Sequence, residues 1–258
     1  MRRAGTSRSA TLALLLLALV LPARARAATP ADFVGSQTCA GCHAAQAEQW
    51  KGSHHALAMQ KPTEATVLGD FAGAQLEHFG VVTTFSRSGE KFLVRTDNHE
   101  GGSQEYEIAY TFGVYPLQQD LIAFPDGRLQ ALGVAWDSRP KQQGGQRWFP
   151  LYPDQKLSGG DRLHWTGRDQ TWNYMCADCH STGLKKNYDL TKDTYATVWS
   201  DVDVACEACH GPGSGHVTWA QSHSAALSET DRMGLVAWPK ATDHGRFRKV
   251  PRNATAPR

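Results

Sequence analysis

The chain has 258 residues, and its 27 Lys and Arg side chains nearly balance its 25 Asp and Glu side chains. The sequence contains no basic stripe and no interleaving of basic and aromatic residues, so we expect no nucleic-acid partner. All six cysteines fall within copies of one short pattern, which leaves none for a disulfide framework or a lone catalytic thiol.

The first 27 residues have the features of a signal peptide. Arg2, Arg3 and Arg8 form a basic start, residues 11–21 are apolar but too few to span a bilayer, and residues 25–27 read Ala-Arg-Ala, typical of a cleavage site. We therefore expect export to the periplasm, with membrane association only through a partner or an uncleaved signal. Since this segment holds five arginines and no acid, the mature chain carries 22 basic against 25 acidic side chains.

A five-residue motif, Cys-x-x-Cys-His, occurs three times. Its two thiols lie on one side of a helical turn, where they can add across the two vinyl groups of one porphyrin. The following histidine can then supply an axial nitrogen to the iron. The sequence therefore predicts three covalent haem c groups. Their cysteines and proximal histidines are Cys39, Cys42 and His43; Cys176, Cys179 and His180; and Cys206, Cys209 and His210.

Two other chemistries also use paired cysteines. A zinc site would need paired knuckles and does not require a histidine directly after the second cysteine. A thioredoxin-like redox pair would occur once rather than three times. Three complete motifs with no cysteine left over favour haem.

The chain after the signal divides into four segments. Residues 28–64 form a first haem segment, in which residues 44–59 are rich in Ala, Gln and Glu and predict a helix. Residues 65–157 contain no cysteine and predict strands, with hairpin turns at residues 87–90 and 125–127 and a further strand at residues 106–112. Residues 158–225 carry the second and third motifs, and residues 226–258 form a polar tail.

These elements predict an α+β fold class. We expect short helices and loops packed around the c-type haems, with a small antiparallel β meander inserted between the first and second motifs. Such a protein does not need a large aliphatic core, because the haem faces themselves bury apolar area.

Each iron also has a second axial position. Histidine or methionine can fill it, or it can stay open for a substrate. His216 follows the third motif in a loop rich in Gly and Pro, which can bring its imidazole close to a porphyrin. His54 and His55 lie beyond the first motif, and adjacent helical residues point about 100° apart, so at most one reaches a given iron. His164 is either a ligand or a core histidine bonded to a carbonyl. The methionines are poorly placed for this role.

Several stretches beside the motifs carry a family resemblance. Phe-Val-Gly-Ser precedes the first motif at residues 33–36, Trp-x-x-Ser-x-His-Ala occupies residues 50–56, and His-Gly-Pro-Gly-Ser-x-His occupies residues 210–216. Through these stretches the chain resembles the multihaem cytochrome c-554-like family. Residues 106–113, 136–140 and 163–170 more closely resemble periplasmic multihaem proteins that often carry C-terminal tetratricopeptide repeats.

The resemblance covers residues 33–220 and implies electron transfer through closely spaced haems, mostly with two imidazoles each. By motif position it implies that His55, rather than His54, is a distal ligand, together with His216 and His164. Relatives usually have a fourth Cys-x-x-Cys-His motif and often repeats, and this chain has neither. We therefore expect a fragment, a truncated gene product or a genuine three-haem form.

Three functions remain open. The first is a relay that passes electrons through its haems to redox partner proteins in the periplasm. We expect this electron-transfer role rather than an enzyme, and no catalytic residue is assigned, because no residue set builds an obvious substrate pocket. The second is an enzyme that reduces or oxidises a small nitrogen or sulfur compound at an open haem site. The third is a haem-bearing interaction or sensor module of a larger repeat protein.

Overall fold

The computed structural model describes residues 30–222 and 233–236. The predicted signal peptide lies outside the described residues, and so does the predicted tail except for residues 233–236. The main element of the fold is an antiparallel sheet of eight strands. Its strands are β1 Met59–Gln60, β2 Gln75–His78, β3 Val81–Ser88, β4 Lys91–Asp97, β5 Ser103–Phe112, β6 Leu117–Ala123, β7 Leu129–Asp137 and β8 Arg147–Pro150. A separate ribbon pairs β9 Tyr188–Asp189 with β10 Thr194–Tyr195.

The strands of the large sheet follow one another in chain order. From β2 to β8, each strand pairs antiparallel with the one that follows it. Strand β1 lies outside this order and pairs with β5. The two ends of the sheet approach each other, since His78 at the end of β2 donates through Nε2 to the carbonyl of Pro153, just after β8, at 3.0 Å. The sheet is therefore nearly closed.

The predicted fold class, in which short helices dominate around a small meander, is wrong. Both predicted hairpins are present as β3–β4 and β6–β7, and the strand predicted at residues 106–112 is part of β5. Strands β1, β2 and β8, which have only two to four residues each, were not predicted from the sequence. Because these short strands extend the sheet and nearly close it, strands dominate the described residues.

Two apolar clusters lie on opposite faces of the sheet. On β6, Ile122 belongs to the first cluster and its neighbour Leu121 to the second, because successive strand residues point to opposite faces. The first cluster fills the inside of the nearly closed sheet with aromatic rings, of which Phe85 and Trp148 stack with centroids 3.7 Å apart. The other aromatic members of the first cluster are Phe71, Phe92, Trp136 and Trp165.

The second cluster joins the outer face of the sheet to the segment that carries the second motif. Its buried members are Met59, Phe112, Leu121, Leu129, Ala131, Trp172 and Ala177. Cys176, the first cysteine of the second motif, packs against them. Since β1 also pairs with β5, the segments predicted at residues 28–64, 65–157 and 158–225 are in contact, and their boundaries stay predictions.

The helices are short. They are α1 Ser36–Cys42, α2 Ala44–Lys51, α3 Trp172–Met175, α4 Ala177–His180, α5 Cys206–His210 and α6 Ser214–Ser222, with 3-10 turns at Lys141–Gln143 and Arg168–Gln170. The helix predicted over residues 44–59 ends at Lys51, because Gly52 weakens it and Met59 enters β1. Within the described ranges, no helix combines the length and the apolar character needed to cross a membrane.

Candidate functional site

Each Cys-x-x-Cys-His motif lies on a short helix. The first motif ends α1, the second spans the start and length of α4, and the third forms α5. In each motif the first cysteine is half-buried and the second is exposed, and all six thiols are free. The helical turns therefore present two thiols and one imidazole from each motif, as attachment to one porphyrin requires.

His180, the histidine of the second motif, is oriented by contacts with residues of two other segments. Its Nδ1 lies 3.1 Å from the carbonyl oxygen of Ala58, which can only accept a hydrogen bond, so Nδ1 carries the hydrogen. The Phe112 ring packs nearly perpendicular to the imidazole at a centroid distance of 5.4 Å. Because a metal-binding histidine commonly donates its other ring N–H to a carbonyl, this arrangement leaves Nε2 for an iron.

The histidine of the first motif faces a histidine of the third-motif segment. The ring centroids of His43 and His216 lie 6.0 Å apart, with 23° between the ring planes. Two imidazoles on opposite sides of one iron would have centroids roughly 6 Å apart, because each Fe–N bond is about 2 Å long. His216 donates through Nδ1 to the carbonyl of Met233 at 2.8 Å, which leaves its Nε2 for a metal. These residues therefore fit a shared haem.

Glu207 fastens the third motif to the segment before the first. Its side chain is buried, with 3% of its surface exposed. The carboxylate accepts hydrogen bonds from the backbone N–H groups of Val34 at 2.9 Å, Gly35 at 2.8 Å and Gly213 at 2.7 Å. A buried carboxylate needs such partners, so one side chain fixes both the approach to α1 and the loop that leads to His216.

Asp201 makes a second link between the same segments. Its carboxylate accepts hydrogen bonds from the Ser36 N–H at 3.2 Å and from the Ser36 hydroxyl at 2.7 Å. Ser36 is the first residue of α1, where an anion is favoured by the unpaired N–H groups of the helix start. The position of the first motif is therefore set by residues beside the third.

The first cysteines of the first and third motifs are neighbours. Burial, followed by the adjacent Cys206 thiol, raises the pKa of Cys39 to about 11. Burial likewise raises the pKa of Cys206, and burial with the nearby Cys179 thiol raises the pKa of Cys176 to about 11. These thiols are therefore neutral at physiological pH, and the attachment points of the first and third motifs are close together.

His164 is held by hydrogen bonds on both ring nitrogens. The backbone N–H of Thr166 donates to Nδ1 at 3.3 Å, so Nδ1 is an acceptor, and the Thr166 hydroxyl donates to the same atom at 2.8 Å. Nε2 then carries the hydrogen, which it donates to Asp97 Oδ2 at 2.8 Å. The distal role of His164 stays a prediction, and this buried arrangement does not favour it because neither nitrogen is left for iron.

Three other histidines are exposed. His55 uses its backbone carbonyl to accept the Val204 N–H at 3.2 Å, and the ring of His54 lies 6.3 Å from the ring of Tyr115. His210 ends α5. Among the residues that the structure describes, no histidine faces His55 or His210 as His216 faces His43, so their axial roles stay predictions.

Glu207, Asp201 and Asp97 organise the site, and none of them was predicted from the sequence. Glu207 lies inside a motif, but its spacing does not reveal which backbone groups it contacts. Asp201 and Asp97 are distant in sequence from Ser36 and His164. The hydrogen-bond donors of a buried acid come from distant parts of the chain, so its role can be recognised only in the folded structure.

The motif segments have relatives among known proteins. The family described as cytochrome c554 and c-prime matches residues 38–75 and 153–211, which contain all three motifs. The crystal structure of the outer cell wall cytochrome OcwA matches at 19% identity and a TM-score of 0.46, and the match covers 76% of this chain and 35% of that one. Among curated proteins none matches. The segments that hold the Cys-x-x-Cys-His motifs are therefore similar to the cytochrome c554 and c-prime family of c-type cytochromes.

Proposed function

We propose that this protein relays electrons in the periplasm through three covalently bound haem c groups and exchanges them with redox partner proteins. The observation that carries the proposal is the facing pair of His43 and His216, whose ring centroids are 6.0 Å apart. An iron with two imidazoles has no site left for a substrate, and such an iron serves electron transfer. Membrane association would require a partner or an uncleaved signal.

The chain's own residues hold and orient each group. The six motif thiols would form the thioether bonds, and His43, His180 and His210 would supply proximal nitrogens. The haem irons would supply one-electron oxidation and reduction. His216 would close the distal side at the first motif, with its ring fixed by the carbonyl of Met233.

The closeness of the first and third motifs supports transfer between their haems. Cys39 lies beside Cys206, and Glu207 and Asp201 tie the two segments together by side-chain hydrogen bonds. A fixed spacing between attachment points keeps the porphyrin edges at a constant distance. Rapid relay depends on such short and constant distances.

A second function is favoured by the arrangement of His164. Both of its ring nitrogens are used by Thr166 and Asp97, so a distal ligand expected for one haem is engaged elsewhere. An iron with an open distal side would reduce or oxidise a small nitrogen or sulfur compound. The haems bound through His180 and His210 are the candidates for that open side, because the described residues bring a facing imidazole only to His43.

An electron-resonance and optical spectrum of the ferric holoprotein separates the two functions. If the protein is a relay, all three haems should give low-spin signals that nitrite or hydroxylamine leaves unchanged. If the protein is an enzyme, one haem should give a high-spin signal that shifts when either compound is added. A high-spin signal that shifts in the wild-type protein would overturn the pure relay.

A further inference from the structure

Asp120 is an acid buried inside the sheet. It lies on β6, and 2% of its surface is exposed. Its Oδ1 atom has no hydrogen-bond partner, and no salt bridge of the described residues includes it. Burial of a carboxylate without a cation or a donor costs several kcal/mol, roughly, so the neutral acid is the form that this position favours.

Two other polar groups without partners lie on the same face. Thr111 on β5 is directly opposite Asp120, and its hydroxyl oxygen has no partner. Trp136 on β7 is opposite Gln118, two residues before Asp120, and its indole N–H has no partner either. Directly opposed side chains such as those of Thr111 and Asp120 are about 5 Å apart at Cβ, whereas the register of β6 and β7 shifts between Gln119 and Leu121 and sets no regular spacing for Trp136. The sheet interior therefore holds a small polar cluster that can receive a proton or a water molecule.

The second haem motif lies against the other face of the same strands. Thr111 precedes Phe112, whose ring contacts the imidazole of His180 at a centroid distance of 5.4 Å. Asp120 precedes Leu121, which belongs to the apolar cluster that Cys176 packs against. Only the thickness of one sheet separates Asp120 from the surface where the second motif is placed, a distance on the order of 10 Å.

We infer that Asp120 binds a proton when the haem attached at Cys176 and Cys179 is reduced, and releases that proton when the haem is oxidised. The inference rests on the proposed function, because it requires a haem at the second motif. One electron arrives at the iron from the redox partner, and one proton passes from solvent to a carboxylate oxygen of Asp120. The site is thus a proton-binding site that couples proton uptake to electron transfer.

The direction of the proton exchange follows from the charge on the iron. A reduced iron carries one positive charge less than an oxidised one, so it favours the protonated acid, and in a poorly solvated interior this effect is stronger than in water. Burial raises the pKa of Asp120 to about 8. Proton exchange is therefore expected close to that pH. Well below it Asp120 holds its proton in both redox states, and well above it Asp120 is ionised in both.

Other groups that could titrate are few at this position. The neighbours on the same face are Thr111 on β5, Gln118 and Ile122 on β6, and Trp136 on β7, and none of these carries a charge. The haem propionates also titrate, so the experiment must separate their contribution from that of Asp120.

The test is a redox titration of the holoprotein at a series of pH values from about 6 to 10. NMR signals of the haem methyl groups distinguish the haems. We expect the potential of the second haem to fall as pH rises near pH 8, and to lose most of this dependence in Asp120→Asn. The matched control is Glu107→Gln, an exposed acid on β5 paired with Lys91, which should titrate as the wild type does. An unchanged pH dependence in Asp120→Asn overturns the inference.

A measurement on the wild-type protein guards against misfolding of the variant. The infrared difference spectrum between reduced and oxidised protein, with carbon-13-labelled aspartate, should gain the C=O band of a protonated carboxyl on reduction. Absence of that band overturns the inference. A holoprotein whose mass lacks a haem at Cys176 and Cys179 contradicts the proposed function itself, whereas a bound haem with a pH-independent potential overturns only the role of Asp120.

Discussion

The imidazole rings of His43 and His216 lie with their centroids 6.0 Å apart, although the two residues belong to the first and the third motif segments. The His216 ring is fixed by a hydrogen bond from Nδ1 to the carbonyl of Met233, and the loop before it is fixed by Glu207. The fold therefore brings an imidazole from α6, the helix that follows the third motif, to face the histidine of the first motif.

Replacement of His216 tests this pairing. His216→Ala should convert one haem from low-spin to high-spin, and the ferrous protein should then bind about one equivalent of carbon monoxide, because one iron has lost its distal imidazole. Electron resonance and carbon monoxide titration measure the change. The control is His99→Ala, which removes an exposed histidine from the loop after β4 and should leave the spectrum unchanged.

The double variant identifies which iron His216 serves. If His43 and His216 share one iron, removing both should affect the same single haem. Two separate haems changed in His43→Ala/His216→Ala would contradict the assignment.

Glu207 should contribute strongly to stability. Glu207→Ala would leave the N–H groups of Val34, Gly35 and Gly213 without their acceptor, and we expect a loss of about 2–4 kcal/mol in the free energy of unfolding. Guanidinium denaturation of the holoprotein measures it. The comparison variant is Glu48→Ala, whose exposed ion pair with Lys51 should contribute less than about 1 kcal/mol. Equal losses in both variants would refute the fastening role.

The pair of Asp97 and His164 should make stability depend on acid pH. Burial acts to raise the pKa of Asp97, but hydrogen bonds led by that from His164 outweigh it, so the pKa is below its ordinary value of 3.8. A carboxyl with a lowered folded-state pKa stabilises the protein above its unfolded-state value and loses this effect as pH falls through the folded-state value. We expect the stability of the wild type to fall below about pH 4, and that of Asp97→Asn to fall less.

The same pair distinguishes a structural His164 from an axial one. His164→Ala should lower the free energy of unfolding by about 2 kcal/mol, because it leaves Asp97 buried with fewer donors. The spin state of the haems should not change. A new high-spin haem in this variant would instead identify His164 as a distal ligand, as the family resemblance implies.

The number of haems can be read from the intact mass. Protein matured in a periplasm with a haem-ligation system should exceed the polypeptide mass by three haem masses, because six cysteines form three motifs. Cys206→Ala/Cys209→Ala should lose one of these. Six titratable thiols in the matured wild type would rule out covalent haem.

The sequence predicted the hairpins around Gly89 and Gly127 because their turn residues and flanking alternation are local signals. It did not predict the strands Met59–Gln60 and Arg147–Pro150, whose pairing depends on distant partners. A strand of two to four residues has too few positions to display a period. The size and near closure of the sheet could therefore be recognised only in the tertiary structure.

The sequence by itself determined the attachment chemistry, because thioether formation needs two thiols and a histidine at a fixed local spacing, as at Cys39, Cys42 and His43. The tertiary structure decided which histidines meet and which acids are buried. The facing of His43 by His216, the enclosure of His164 by Asp97 and the burial of Asp120 all join residues from separate elements. Such contacts follow from packing and strand register, which no local spacing encodes.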